Sequence, residues 1–169
     1  MDEVHFQQYG SRCRMWTPPE DKDPVVLHHP TRKSAGYFGA VRLRDGRFVA
    51  ARELERFDGL KTWAFLRRLR QASRWAGRRV IVIVDNAKYH HATLHLEWRL
   101  SQEPDFQLVF LPPYSPELNP IERVWKLVRR NCLHNRYFPT LQLVIEVVES
   151  QFQCWERGSE TLRKLCAVA

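Results

Sequence analysis

Five segments of the chain carry the hydrophobic pattern of β-strands. In the first, polar and apolar residues alternate, with Asp2, Val4 and Phe6 on one side. Asp45-Gly46 is a strong signal for a two-residue turn between the second and third segments. The fourth, residues 80–84, is an unbroken β-branched run, which predicts a strand covered on both faces, as in a parallel sheet. The predicted strands cover residues 2–7, 36–44, 47–51, 80–84 and 106–111.

Four further segments are predicted to be helices, beginning near residues 58, 87, 119 and 140. Asp58 is suited to cap the first helix, which we expect to run to about Ala76 and to end at Gly77. Residues 87–102 fit both a strand and a helix. We predict a helix there because a connection between parallel strands usually contains one.

The order of these elements is a three-stranded meander, helix, strand, helix, strand, helix, helix. It favours an α/β fold with a mixed five-stranded sheet, an antiparallel meander plus two parallel strands, flanked by helices. The 169 residues, 44% of them hydrophobic, suffice for one domain with a substantial core. We therefore expect residues 1–169 to form a single domain.

Composition excludes several classes of protein. No apolar run reaches the ~18–20 residues needed to span a bilayer, and no signal peptide opens the chain, so we expect a cytoplasmic protein with no membrane partner. The four cysteines form no C-x-x-C pair, which argues against a zinc knuckle and indicates reduced thiols. The net charge of +8 favours a polyanionic partner, of which nucleic acid is the commonest. Arg predominates among the cations, which suits phosphate binding, although coding bias explains it equally well.

Two acidic residues occupy positions that suit chemistry, yet each also has a structural explanation. Asp85 follows a buried strand, at the sheet edge where α/β proteins bind ligands, but Asp85 or Asn86 could simply cap the next helix. Glu122 lies three residues after Asn119, so the two form a capping-box pattern, and Glu122 could also pair with Lys126. Local pattern alone leaves both interpretations open.

Three longer motifs change this balance. Residues 85–90 (Asp-Asn-Ala-Lys-Tyr-His), residues 111–125 (Leu-Pro-Pro-Tyr-Ser-Pro-Glu-Leu-Asn-Pro-Ile-Glu-Arg-Val-Trp) and the opening Asp-Glu-Val-His-Phe resemble the DDE transposases of the mariner-like group, in particular the bacterial insertion-sequence branch. The resemblance implies the RNase H-like fold shared with retroviral integrases. It also implies Mg²⁺-dependent DNA cleavage at transposon ends and strand transfer into target DNA.

The same resemblance assigns the candidate site. Asp2, Asp85 and Glu122 match the three catalytic carboxylates, which would hold two Mg²⁺ ions, with Mn²⁺ as a substitute. Two such ions can activate the attacking oxygen and stabilise the leaving one. Without metal the three carboxylates should repel one another, so we expect raised pKa values.

Other residues near these acids are expected to have supporting roles, Asn86 and His90 by the same resemblance and the others by their position. Asn86 is expected to support the ligands, and His90 to support them or to contact a phosphate, although ordinary hydrogen bonds at a helix start would explain both. Arg123 and Lys126 are expected either to contact DNA phosphates or to form a solvated basic face. Trp125 is predicted to lie in the core rather than to stack on bases.

The histidine pairs 28–29 and 90–91 lack further ligands at zinc spacing, so we expect hydrogen-bonded or solvated side chains there.

The chain departs from the family pattern at its start. Family members begin with helix-turn-helix modules, whereas this sequence opens at Met1-Asp2, so we expect an N-terminally truncated catalytic domain with a shortened central strand. A second reading frame joined by frameshifting, a truncated remnant and a misassigned start would each explain this. The expected partners are double-stranded DNA, both transposon ends and target, and a second copy in a homodimer on DNA at the bacterial nucleoid. An inactive fragment that only binds DNA or the full-length transposase, and a resolvase-like nuclease, are the alternatives.

Overall fold

The computed structural model describes residues 1–9, 11–14, 16–20, 25, 27, 30–73 and 79–167. The strands are β1 (Asp2–Gln7), β2 (Ser34–Arg42), β3 (Arg47–Glu53), β4 (Val80–Val84) and β5 (Phe106–Phe110). The α-helices are α1 (Gly59–Ala72), α2 (Leu96–Gln102), α3 (Ile121–Val128), α4 (Leu141–Gln153) and α5 (Glu160–Leu165). Short 3₁₀ turns cover Lys88–His91, Thr93–His95 and Pro116–Leu118, and a π-helical turn, Arg129–Leu133, extends α3.

The strands pair as an antiparallel meander and a parallel pair, as predicted. β1, β2 and β3 form an antiparallel meander in that order, with Asp2 opposite Gly39, and β4 pairs in parallel with β5. In the described part of the chain, one main-chain contact joins the two groups: the Met1 ammonium group donates to the Ile83 carbonyl oxygen at 2.8 Å. The mixed α/β prediction is therefore confirmed, but the strands form a three-stranded and a two-stranded sheet instead of one sheet of five, because among the described residues only Met1, just ahead of β1, bonds to β4.

Two hydrophobic cores lie on the two faces of the meander. The larger one packs β1–β3 against α3, α4 and α5 around the buried Trp125 and Phe152, and the smaller one packs Phe38 against α1 and β4. In β4, Val84 is buried but Ile81 is 54% exposed. The prediction that β4 is covered on both faces is wrong for this reason: alternate residues face α1, whereas Ile81 lies on the open side.

The helix starts test the capping predictions. Asp58 accepts a hydrogen bond from the Lys61 amide at 2.9 Å and is an N-cap, as predicted. Thr140, for which no cap was predicted, also caps its helix by accepting from the Leu143 amide at 3.4 Å. Asn119 is not an N-cap: α3 begins after Pro120 and has no side-chain cap. The Asn119 side chain is buried instead, because the backbone turns into the helix one residue later than expected.

The other helical predictions are confirmed in part. The 87–102 segment is helical, but it begins as two 3₁₀ turns before α2. Residues 74–78 and 28–29 lie outside the described residues, as do the predictions for Ala76, Gly77 and the first histidine pair. All four cysteines are free thiols, as expected. No helix in the described ranges is both long and apolar enough to cross a bilayer.

Candidate active site

The first acid, Asp2, lies at the start of β1 and is tied to α3. It is 7% exposed, and its Oδ2 accepts a hydrogen bond from Trp125 Nε1 at 3.0 Å. Trp125 is buried in the larger core, as predicted, and follows Glu122 by three residues on the same helix. The indole therefore fixes the strand that carries Asp2 against the helix that carries Glu122.

Burial raises the pKa of Asp2 to about 7. The charge of Glu3 is the next cause, and the charge of Glu122 adds to it, whereas hydrogen bonds from the Glu3 backbone and Trp125 act in the opposite direction. A rise from neighbouring carboxylates was expected, but desolvation is its main source.

A second link joins β1 to the end of β4. His90 is buried between two carboxylates, with Nε2 at 2.9 Å from Glu3 Oε1 and Nδ1 at 2.9 Å from Asp85 Oδ1. Glu3 is almost buried as well and accepts a further hydrogen bond from the Tyr89 hydroxyl at 2.9 Å. Glu3, which follows Asp2 on β1, is thus linked through His90 to Asp85, which follows β4.

The position of His90 between two carboxylates affects its pKa. Burial alone would lower its pKa, but the hydrogen bond and charge of Glu3, with contributions from Asp85, raise it above its usual value. Both ring nitrogens lie within hydrogen-bond distance of a carboxylate oxygen, and the side chain has no exposed surface, which argues against the predicted phosphate contact.

Asp85 itself remains accessible. Its side chain is 47% exposed, and its Oδ1 also accepts from the Ala87 amide at 3.1 Å, so within the described chain both of its contacts use one oxygen. Asn86 donates its side-chain amide to the Leu111 carbonyl and lies 3.2 Å from a ring nitrogen of His91. Asn86 thereby fastens the loop after β4 to the loop after β5, beyond an ordinary helix-start role.

Glu122 lies half-buried in the first turn of α3. Among the described residues its side chain has no hydrogen-bond partner and no ion pair with Lys126, so neither structural explanation for this acid is realised. The neighbouring Arg123 donates from Nη1 to the Leu165 and Ala167 carbonyl oxygens at 3.0 and 3.3 Å. Arg123 thus caps the end of α5, whereas Lys126 is exposed.

The structure does not bring the three predicted acids into one tight group. Within the described residues, the group whose ligating atoms all lie within 4.8 Å of one another is Glu3, Asp85 and His90. Asp2 and Glu3 project to opposite faces of β1, since successive residues of a strand alternate. Sequence analysis missed Glu3 and Tyr89, although Glu3 stands within the quoted opening motif.

Comparison with known proteins identifies the class that this arrangement belongs to. The model of a family described as DDE superfamily endonuclease matches residues 1–145. The chain therefore belongs to the DDE superfamily endonucleases, which confirms the family resemblance.

Individual relatives agree with this assignment. The chain is 28% identical over 85 residues to the insertion element IS630 uncharacterized 39 kDa protein of Shigella sonnei, covering 50% of this chain and 24% of that protein. It is 42% identical over 62 residues to the uncharacterized protein y4pE/y4sA of Sinorhizobium fredii, covering 37% of this chain and 42% of that protein. The matches therefore span less than half of either relative.

Solved structures share the fold. The Mos1 mariner paired end complex with Mn superposes with a TM-score of 0.70 at 16% identity, over 98% of this chain and 50% of that one. The Mos1 strand transfer complex gives 0.65 at 18% identity, over 98% and 50%. These likenesses confirm the RNase H-like fold class.

Proposed function

We propose that this chain is the catalytic domain of a transposase that cuts DNA at transposon ends and joins those ends to a target. Asp2, Asp85 and Glu122 are its catalytic carboxylates. The observation that carries the proposal is a pair of hydrogen-bonded links that converge on the start of β1. Asp2 is tied to the helix of Glu122 through Trp125, and Glu3 is tied to Asp85 through His90.

The donor set fits hard divalent cations. Carboxylate oxygens are the ligands that Mg²⁺ and Mn²⁺ prefer, and Asp85 and Glu122 are accessible and have few competing contacts. Two Mg²⁺ ions bound by the three acids would supply charge stabilisation for the attacking and leaving oxygens of an in-line displacement. A cation would also offset the charge of Glu122 and Glu3 near Asp2, whose carboxyl group is otherwise partly protonated near neutral pH.

The protein's own side chains position these ligands. Trp125 orients Asp2 through a neutral N–H donor, so Asp2 keeps one oxygen for a ligand. His90 holds Asp85 Oδ1 and leaves Oδ2 available. Because His90 is locked by Glu3 from the other side, the Asp85 rotamer is set by groups buried beneath the site.

The partner and domain organisation belong to the same proposal. The +8 charge fits a double-stranded DNA substrate, and exposed Lys126 beside the site suits a backbone phosphate contact. We infer that residues 1–169 act as one catalytic domain and as a homodimer on DNA.

A nicking assay tests the proposal. Supercoiled plasmid and pre-cut transposon ends are incubated with the chain in Mg²⁺, in Mn²⁺ and in chelator. We expect cleavage and strand transfer only with metal, and a loss of at least about 100-fold in Asp85→Asn and Glu122→Gln. Glu117→Gln, an exposed acid in the turn before α3, is the matched control and should retain activity.

Cleavage in chelator, or cleavage that survives both acid substitutions, would end the catalytic assignment. DNA binding without any cleavage would instead favour the inactive-fragment hypothesis, and cleavage of branched DNA without joining would favour a resolvase-like nuclease.

A further inference from the structure

The loop between β5 and α3 carries an aromatic ring that the fold leaves uncovered. Tyr114 is fully exposed, and among the described residues its ring has no aromatic neighbour and its hydroxyl group has no hydrogen-bond partner. A buried aromatic side chain contributes strongly to folding because of its large apolar area. The Tyr114 ring buries no such area, so it adds little to the stability of this fold.

The backbone at the same position is also unusual. Tyr114 has a φ of 57°, in the left-handed region that bulky residues rarely adopt. The other described residue besides glycine with a positive φ is Asn135, whose side chain tolerates this conformation. Strained backbone of this kind persists where the surrounding structure enforces it, and it concentrates at sites that bind ligands or react.

Prolines hold the loop in its shape. Pro112 and Pro113 precede Tyr114, Pro116 follows it by two positions, and each proline fixes its own φ. The Ser115 hydroxyl group donates to the Pro113 carbonyl oxygen at 3.3 Å, which closes the turn around the tyrosine. A ring on so stiff a turn loses little conformational freedom when a ligand stacks on it.

The loop connects the parts of the fold that carry two of the proposed acids. Asp85 follows β4, whose parallel neighbour β5 leads into the loop, and the loop leads into α3, which carries Glu122 in its first turn. The Asn86 side-chain amide donates to the Leu111 carbonyl oxygen, so the start of the loop is fastened to the segment that follows Asp85. The loop therefore places Tyr114 beside the proposed active site.

We propose that Tyr114 stacks on an unpaired nucleobase next to the phosphate that is cut, so that the site takes locally unpaired DNA. This inference rests on the proposed function, because the acids define where the scissile phosphate lies. A base inside a duplex is stacked between its neighbours, and its flat face becomes available only when the strand is opened. Stacking on one aromatic ring tolerates any sequence, since every base has such a face.

A single ring on a turn suits a flat ligand better than it suits a protein partner. Protein interfaces are built around a core of several apolar side chains. Within three positions of Tyr114 on either side, no other large hydrophobic side chain is exposed. A nucleobase needs one flat surface only, which is what this loop offers.

Oligonucleotides that differ in their bases test this inference. Three labelled probes of the same length are compared: a single strand with all its bases, the same sugar–phosphate strand with abasic sites throughout, and a perfect duplex. Binding is measured by fluorescence anisotropy in chelator, so the readout requires no cleavage. We expect the wild-type chain to bind the base-bearing single strand more tightly than the abasic strand.

Substitutions of the tyrosine give the decisive comparison. Tyr114→Ala should weaken binding of the base-bearing single strand by about 5- to 100-fold, and binding of the abasic strand and the duplex by less than about twofold. Tyr114→Phe keeps the stacking face and should keep the affinity. Tyr137→Ala removes an exposed tyrosine elsewhere on the surface and is the matched control, which should bind like the wild type.

Tyr114→Gly separates the lost ring from any effect on folding. Glycine adopts a positive φ without strain, so this variant should melt at the wild-type Tm or above it. It should nevertheless lose as much affinity for the base-bearing strand as Tyr114→Ala does.

Three results would overturn the inference: equal weakening on the base-bearing and abasic strands, wild-type affinity in Tyr114→Ala, or no binding of the base-bearing strand by the wild type. Sedimentation velocity covers the other possible occupant. A dimer that dissociates in Tyr114→Ala, with no base-dependent loss of binding, would assign the ring to contacts between two copies of the chain and would also overturn it.

A nicking assay in Mg²⁺ separates this inference from the proposed function. Base-dependent binding through Tyr114, with no nicking by the wild type, would retain the stacking role and reject the catalytic assignment. Nicking by the wild type that Tyr114→Ala matches on both paired and locally unpaired DNA would reject the stacking role and retain the catalytic assignment.

Discussion

His90→Ala is the change that probes the buried link of the candidate site most directly. The side chain has no exposed surface, and both of its nitrogens lie 2.9 Å from carboxylate oxygens, of Glu3 and of Asp85. Removing one partner of a buried ion pair costs about 3–5 kcal/mol, because the other charge stays buried and unpaired. Glu3 sets this magnitude, since its side chain is 6% exposed, whereas Asp85 is 47% exposed and can be solvated.

Such a loss is large against a total stability of about 5–15 kcal/mol, and it corresponds to a Tm decrease of roughly 6–20 °C for a domain of this size. Urea unfolding and thermal melting at pH 7 measure it. His91→Ala, at the exposed neighbour that stacks on Phe110, is the control and should cost about 1 kcal/mol or less.

A double-mutant cycle with Glu3→Gln separates the ion pair from packing. The double variant buries no unpaired charge, so it should be more stable than the sum of the single changes predicts, by at least about 1 kcal/mol. Additive losses, or a His90→Ala cost below about 1 kcal/mol, would show that His90 is not a charged bridge between the two acids.

Three further changes test separate parts of the structure. Trp125→Phe removes the donor to Asp2 Oδ2 and should lower the free energy of unfolding by about 1–3 kcal/mol in urea titrations, with a larger loss of nicking than of stability. Gly46→Ala places a Cβ 2.0 Å from the Ser159 carbonyl oxygen at a φ of +67°, so we expect a cost of about 1–3 kcal/mol and a lower Tm. Mn²⁺ at about 100 times its Kd should stabilise the chain by about 2.7 kcal/mol, and calorimetric or thermal-shift titration of Asp85→Asn should show no such effect.

Local patterns predicted most of the fold because each element carries its own signal. The alternation in β1 and the β-branched run of β4 gave their bounds correctly, Asp58 caps a helix as expected, and the last helix begins near residue 140 as predicted. The predicted N-cap at Asn119 was wrong because capping propensity describes a helix start in isolation. Here the side chain is buried instead of turning back to the helix.

Local sequence patterns could not predict the contacts within the site. Glu3 and His90 are separated by 87 positions, and only the packing of the turn after β4 against β1 brings them together. The resemblance named the acids, but the positioning of Asp85 by a buried glutamate depends on that tertiary contact.

Residues 165–167, at and after the end of α5, support α3, the helix that carries Glu122. α5 lies beyond the 1–145 stretch that the family model matches, yet its terminal carbonyls hold Arg123, the residue next to Glu122. The Cys166 thiol also contacts the Pro120 carbonyl oxygen, at 3.5 Å, just before that helix begins. A purification tag or fusion partner placed directly after these residues would therefore disturb the contacts that orient Glu122. Such additions need a long flexible spacer between them and α5.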